Sequence, residues 1–229
     1  MDSTFQRILH HAMTNSITIQ TTINDEEFTL HPLKFIYWKR MQMLICADIH
    51  VGKGGHFRKH GIAIPRMANK NNFWNLVGAF ELYKPEKLLV IGDMMHSSEN
   101  LEWEDFGDFL DNYPAMKRIL VRGNHELFAD EVYEKLGFDV VEELSESGFL
   151  FLHDNENYYG KEFLICGHIH PAVSLYGSGR QTIKVPCFWQ TENQLVLPAF
   201  GEFTGTHVIR PKRGDRVFAI SGDEVIEMK

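Results

Sequence analysis

The sequence predicts a layered α/β fold in which two mixed sheets pack face to face with helices outside them. Two patterns point to it. The first half alternates buried-strand runs with helical segments, whereas beyond Asp139 the chain breaks into short strands separated by turn residues. At 229 residues, 44% hydrophobic and 24% charged, the chain has enough apolar material for one large core and is read as a single domain over residues 1–229.

The elements follow in order. TIQTTINDEEFTLHP alternates around the turn-formers Asn24 and Asp25, predicting a hairpin that leads into KFIYW. QMLICAD is a nearly continuous apolar run, as in a strand buried on both faces. Ile64 to Leu82 predicts a helix, with Pro65 near its start and Pro85 beyond its end. KLLVIGD repeats the buried-strand pattern. Glu99 to Asn112 predicts an amphipathic helix, with Leu101, Trp103, Phe106, Phe109 and Leu110 broadly at helical spacing, before KRILVRG returns as a strand. The later strands are read as VVEEL, FLFLH, FLICGH, TIKVPCFW, QLVLPAF and RVFAISGDEVIEM.

Composition narrows the class. No stretch approaches the roughly 20 apolar residues that span a bilayer, and MDSTFQRILHHAMTN lacks the basic start, apolar middle and cleavage site of a secretory signal. Cys46, Cys166 and Cys187 sit inside apolar runs and read as reduced core residues, so a soluble, cytoplasmic protein without a membrane partner is expected. A net charge of −8 argues against a nucleic-acid coat protein, whose affinity comes from Lys and Arg. It leaves room for a metal-carrying enzyme acting on phosphates, because bound cations add charge that a residue count omits.

Histidine is abundant, with 12 residues. His10 and His11 lie in a polar segment and are read as solvent-exposed, and His31 as a strand-end residue. The others group with acids and amides. At five places a buried-strand run ends and a metal-competent cluster follows at once: Asp48 and His50, Asp93 and His96, Asn124 and His125, His153, and His168 with His170. Loops beyond strand C-termini present side chains while the strands hold them rigid, so five such ends converging make one site. A mixed set of Asp, Asn and His suits a two-metal hydrolase. Spacing of two in Asp48/His50 and His168/His170 points both side chains of each pair the same way if the strand end is extended.

The ordered series DIH, GDMMH, GNHE, a single His and GHIH resembles the five motifs of the calcineurin-like metallophosphoesterase superfamily. The resemblance implies a four-layer α/β/β/α sandwich and a centre of two divalent ions, manganese foremost, with iron or zinc as alternatives. It places Asp48, His50, Asp93 and His170 on one ion and Asp93, Asn124, His153 and His168 on the other, with Asp93 bridging. His125, beside a ligand but assigned to no metal, is then the candidate general acid for the leaving oxygen. Many members carry an Asp three residues after the bridging Asp; here that position is His96, which resembles the DNA-repair nuclease branch, where it helps position nucleic acid.

A narrower resemblance extends along most of the chain. DIHVGKGGHFRKHGIAIP, GDMMHS, VRGNHE, GHIHPAV, VPCFW, LPAFGEFTG and RVFAISGDEVI are similar to the bacterial ligase-associated DNA damage response endonucleases. It implies phosphodiester cleavage in DNA, with a DNA ligase or helicase as partner.

Other features carry two readings each. The loop GKGGHFRKHG brings His56, Arg58, Lys59 and His60 beside the first cluster, to hold flanking phosphates or to sit solvated; it lacks the ending of a nucleotide-binding P-loop. Phe200, Phe203 and His207 in PAFGEFTGTH favour core packing over base stacking. Lys212, Arg213 and Arg216 read as a solvated basic turn. Two other functions share these residues: a hydrolase of a small phosphate ester, with the same centre but a closed pocket, and a non-catalytic scaffold, which the complete ligand set disfavours.

Overall fold

The computed structural model describes residues 15–51, 66–95, 101–124, 126, 128–156, 158–177, 181–201 and 204–228. Among the described residues the first sheet has seven strands. β1 (Ile19–Ile23) and β2 (Glu26–His31) form the predicted hairpin, and Asn24 and Asp25 take φ of +48° and +64°, the positive values that a tight type I′ turn needs at both positions. β3 (Phe35–Trp38) and β4 (Met43–Ala47) continue antiparallel. From there the sheet becomes parallel through β5 (Lys87–Ile91), β6 (Lys117–Val121) and β7 (Phe138–Val141). The C-terminal ends of four neighbouring strands therefore open on one edge.

Helices make the crossovers: α1 (Arg66–Tyr83), α2 (Leu101–Leu110) and the short α3 (Asp130–Glu134). Leu76, Ala79 and Phe80 of α1, with Phe106 and Leu110 of α2, are buried against Leu44, Cys46, Leu88, Val90 and Leu120 on the outer face of this sheet. The α1 helix stops where Lys84, at φ +44°, donates its N–H to the Phe80 carbonyl just ahead of Pro85. The Arg118 guanidinium on β6 donates to the carbonyls of Leu110, Tyr113 and Leu136, fixing the end of α2 and the turn after α3 to the sheet.

Among the described residues the second sheet has nine strands. They are β8 (Leu144–Glu146), β9 (Phe149–Phe151), β10 (Phe163–Cys166), β11 (Pro171–Tyr176), β12 (Thr182–Gln190), β13 (Gln194–Val196), β14 (His207–Val208), β15 (Arg216–Ser221) and β16 (Glu224–Met228). The order is β14-β11-β12-β13-β10-β9-β8, with β15 paired to β12 and β16 to β15; β9, β10 and β13 run parallel.

Between the sheets lies the main core. Phe28, Trp38, Ile45, Leu89 and Ile119 from the first meet Phe149, Phe151, Ile165, Phe188 and Phe218 from the second, each side chain contributing about 1.5–3 kcal/mol by leaving water. The layered α/β sandwich read from the sequence is thus present. The outer face of the second sheet carries Leu164, Cys166 and Val196, all fully buried, and among the described residues no helix lies on it. Cys46, Cys166 and Cys187 are free and buried, as expected. Among the described residues no helix is long and apolar enough to cross a membrane.

Five segments differ from what the sequence predicts. VVEEL is not one strand: β7 ends at Val141, the exposed Glu142 and Glu143 carry the chain between sheets, and Leu144 opens β8. RVFAISGDEVIEM folds as the β15–β16 hairpin, turning at Gly222 with φ +60°. β11, β14 and α3 had no counterpart in the reading.

Candidate metal centre

The parallel strand ends converge as the spacing of the motifs predicts. Asp48 and His50 follow β4, Asp93 follows β5, Asn124 follows β6, His153 follows β9, and His168 and His170 follow β10. The first two loops are locked together by backbone hydrogen bonds that prolong the ladder: Asp48 N–H to Gly92 O (3.2 Å), His50 N–H to Asp93 O (3.0 Å) and Val51 N–H to Met94 O (2.8 Å). A returning segment adds Phe200 N–H to Ala47 O (2.8 Å) and Gly201 N–H to Asp48 O (3.1 Å).

The pairs reach the site by a different backbone from the extended one that the spacing suggested. Asp48, His50, Asp93, His168 and His170 have φ of +55°, +51°, +47°, +66° and +53°, in the left-handed region. Residues with a Cβ adopt it at a cost of about 1–3 kcal/mol, and such strain gathers where function holds side chains in place. His168 and His170 then diverge. His170 Nε2 lies 3.2 Å from Asp48 Oδ1 and its ring meets His50 edge-on at 5.6 Å. The His168 ring meets His153 at 5.1 Å, with Nε2 3.8 Å from Asp154 Oδ2.

Among the described residues two groups of possible ligands result: Asp48, His50 and His170, and Asp48, Asp93 and His153, each with donor atoms within 4.8 Å of one another. Asp48 is common to both. Its Oδ1 sits 3.2 Å from His170 Nε2 and 3.9 Å from His153 Nε2, while its Oδ2 accepts the His168 N–H at 3.0 Å. Asn124 Oδ1 is 3.2 Å and Asp93 Oδ1 3.4 Å from His153 Nε2.

The donor chemistry fits cations. His170 Nδ1–H donates to the Gly205 carbonyl at 2.9 Å and His153 Nδ1–H to the Ile91 carbonyl at 3.2 Å. In a neutral ring this leaves each Nε2 lone pair turned toward carboxylate oxygens, the orientation that backbone carbonyls impose on metal-binding imidazoles. Asp48 Oδ1 and His170 Nε2 are buried without a hydrogen bond among the described residues. Burial alone lowers the His153 pKa, but its hydrogen bond to Asp93 and the charges of Asp48 and Asp93 outweigh burial, so the net shift is upward. Positive charge is what this pocket is built to receive.

Glycines permit the close approach. A Cβ on Gly92, which has φ +66°, would fall 2.1 Å from His153 Nδ1, and one on Gly123 would fall 2.3 Å from both the Asp93 nitrogen and Oδ1.

Two functional residues escaped the sequence reading. Glu126, the last letter of GNHE, accepts the Met94 N–H at 2.7 Å and the Tyr133 hydroxyl, so it ties the loop bearing Asp93 to the loop bearing Asn124. The signal for it was an acid wedged between the motif histidine and an apolar run. Asp154 faces His168, and only its place next to His153 could have marked it. His56, Arg58, Lys59, His60, His96, His125 and Phe203 lie outside the described residues, as do His10 and His11. Phe200 is fully buried on the helix side of the first sheet, as core packing predicts, and His207 is exposed at the start of β14. His31 ends β2, buried and stacked on Phe35 at 4.4 Å. Arg216 pairs with Glu227 at 2.7 Å and covers the Phe218 ring.

A fold of this kind, with such a cluster at its strand ends, defines a metal-dependent phosphoester hydrolase. Residues 41–182, more than half of the chain and including every candidate ligand from Asp48 to His170, match the calcineurin-like phosphoesterase family, and the chain belongs to that family. Across nearly its whole length it is also similar to the crystal structure of Pseudomonas putida nuclease MPE, with a TM-score of 0.78 and 26% identity over 92% of this chain and 100% of that one. No curated protein matches significantly.

Proposed function

We propose that the chain, as a single domain, is a two-metal phosphodiesterase that cleaves DNA and serves DNA repair in the cytoplasm beside a ligase or helicase. The observation that carries the dinuclear reading is that the buried carboxylates Asp48 and Asp93 and the rings of His50, His153 and His170 form two adjacent groups of donor atoms among the described residues. Similarity to a nuclease supports DNA as the substrate. Asp48, His50, Asp93 and His170 hold one ion, and Asp93, Asn124, His153 and His168 the other; manganese is the proposed metal. Two such ions supply Lewis acidity toward the phosphoryl oxygens and make water nucleophilic at neutral pH.

The chain's own residues do the rest. His125 protonates the leaving oxygen, which a group beside the ligand Asn124 is placed in sequence to reach. His96 orients the nucleic acid, and His56, Arg58 and His60 hold phosphates on either side of the scissile one. Glu126 and Tyr133 fix the loops that carry Asp93 and Asn124.

The net charge of −8 favours a second reading, a hydrolase of small phosphate esters. A parallel assay separates the two: bis-p-nitrophenyl phosphate, p-nitrophenyl phosphate, plasmid and single-stranded DNA, each with added manganese. The proposal requires turnover of the diester and cutting of DNA. Hydrolysis of the monoester alone would remove it.

A further inference from the structure

The hairpin of β11 and β12 rises past the edge at which the metal centre opens. β11 leaves directly from His170. β12 runs antiparallel to β13, which is parallel to β10, so the N-terminal half of β12 lies beyond the strand ends that carry His168 and His170. Its last residues, Cys187 to Gln190, are inside the sheet and pair with β15, whereas Thr182 to Pro186 are matched only with β11 among the described residues. At about 3.3 Å per residue this arm reaches roughly 15–20 Å from His170.

Register fixes which side of the arm faces the cleft. Phe188 and Phe218 point into the space between the sheets. Side chains alternate, so Pro186, Lys184 and Thr182 continue the Phe188 face, joined by their direct partners Ala172, Ser174 and Tyr176. The opposite face carries Val173, Val185 and Cys187, which pack on Ile209, Val217 and Ala219. The base of the arm's outer side is therefore held down by apolar contacts, while Ile183 nearer the tip is exposed. The cleft side carries an aromatic ring that is 82% exposed, an exposed ammonium and two hydroxyls. Tyr176 and Lys184 are diagonal neighbours across the pair, about 7–8 Å apart at the backbone.

We infer that the cleft face of the β11–β12 arm, through Tyr176 and Lys184 with Ser174 and Thr182, is a rest for the single-stranded flank of a nucleic-acid substrate. The inference rests on the phosphodiesterase reading of the metal centre. A ring that adds nothing to the core offers a stacking platform for any base with a free face, and a cation a diagonal step away meets the adjoining phosphate. A small phosphate ester bound at the strand ends would touch none of these groups.

Binding is measured by fluorescence anisotropy of a fluorescein-labelled phosphorothioate oligo-dT on the manganese-loaded protein, and turnover of bis-p-nitrophenyl phosphate is followed in parallel. Tyr176→Ala is expected to weaken oligonucleotide binding about tenfold, as loss of one stacked base does, and Tyr176→Phe to restore it. Lys184→Ala is expected to lower the slope of log affinity against log salt by about 0.7. All three variants keep diester turnover. Equal affinity in the wild type and Tyr176→Ala overturns the inference. So does a change in mass by light scattering with oligonucleotide affinity unchanged, which would assign the arm to a protein contact. Oligonucleotide binding that depends on Tyr176 in a protein unable to cut DNA would sink the nuclease reading and leave the arm's role standing.

Discussion

Gly123→Ala adds one methyl group at a point of close backbone approach in the candidate centre. Its Cβ would lie 2.3 Å from the Asp93 nitrogen and Oδ1 and 3.0 Å from the Gly92 Cα. Restoring ordinary contact at 3.4 Å requires a shift of about 1 Å, and the atoms in the way are backbone and a buried carboxylate rather than the tip of a flexible chain. Gly92 cannot retreat, because its N–H is bonded to Val121 O at 2.8 Å and its own Cβ position is filled by His153. Overpacking of this sort costs about 1–3 kcal/mol, and a 1 Å misplacement of a positioned group costs about a hundredfold in rate. The assay pairs urea denaturation with bis-p-nitrophenyl phosphate turnover at saturating manganese. Gly177→Ala, whose Cβ would meet Gln181 no closer than 3.8 Å, serves as control and should behave as wild type. A Gly123→Ala protein with wild-type stability and turnover would refute the claim that Asp93 is held by this close approach.

Other consequences are smaller in scope. Asp93→Asn should fold normally by circular dichroism and lose at least about a hundredfold in diester turnover, since it removes a charge on which both ions depend; wild-type activity defeats the assignment. Tyr133→Phe deletes a donor from the half-buried Glu126 carboxylate, whose pKa desolvation raises against the pull of hydrogen bonds from Tyr133 and Met94. It should lower stability by about 2 kcal/mol in urea, and an unchanged midpoint would show that the bond contributes nothing. Burial pulls the His31 pKa from 6.5 to about 4. The unfolded chain therefore takes up a proton that the folded chain refuses as pH falls through 6.5, and stability present at pH 7 declines by about 2 kcal/mol at pH 5. Comparing the pH 7 to pH 5 loss in wild type and His31→Phe isolates this effect from the pH-independent cost of substitution; equal losses contradict it.

Much of the site was legible because strand ends and ligand chemistry are both written locally. LICADIH, LLVIGDMMH and FLICGHIH each join a buried run to polar residues with nothing between, and parallel β4, β5 and β6 bring the first three ends to one edge. The backbone conformation there was not legible. Spacing of two argues for extended strand, yet Asp48, His50, His168 and His170 are all left-handed. Their conformation is imposed by long-range contacts such as His50 N–H to Asp93 O and His168 N–H to Asp48 Oδ2, which no local propensity encodes.

The misread elements have equally physical causes. The five residues of α3 are too few for helical periodicity, and the helix is held by tertiary contacts, with Tyr133 buried and Asp130 paired to Arg122. PAVSLY opens on proline, a usual strand breaker; in β11 it takes the first position, where a missing N–H costs least. VVEEL looks continuous because both sheets want the same residue types, and only the exposure of Glu142 and Glu143 reveals the crossing. Glu126 was hidden because its partners, Met94 and Tyr133, are a backbone group and a distant ring.

Metal stoichiometry tests the central claim most directly. Protein saturated with manganese, freed of excess ion by gel filtration and submitted to elemental analysis, should carry two ions per chain, and Asp48→Asn, which strips the carboxylate common to both groups, should carry fewer. Wild-type protein holding no ion, or the same count in the Asp48→Asn variant, would contradict the account.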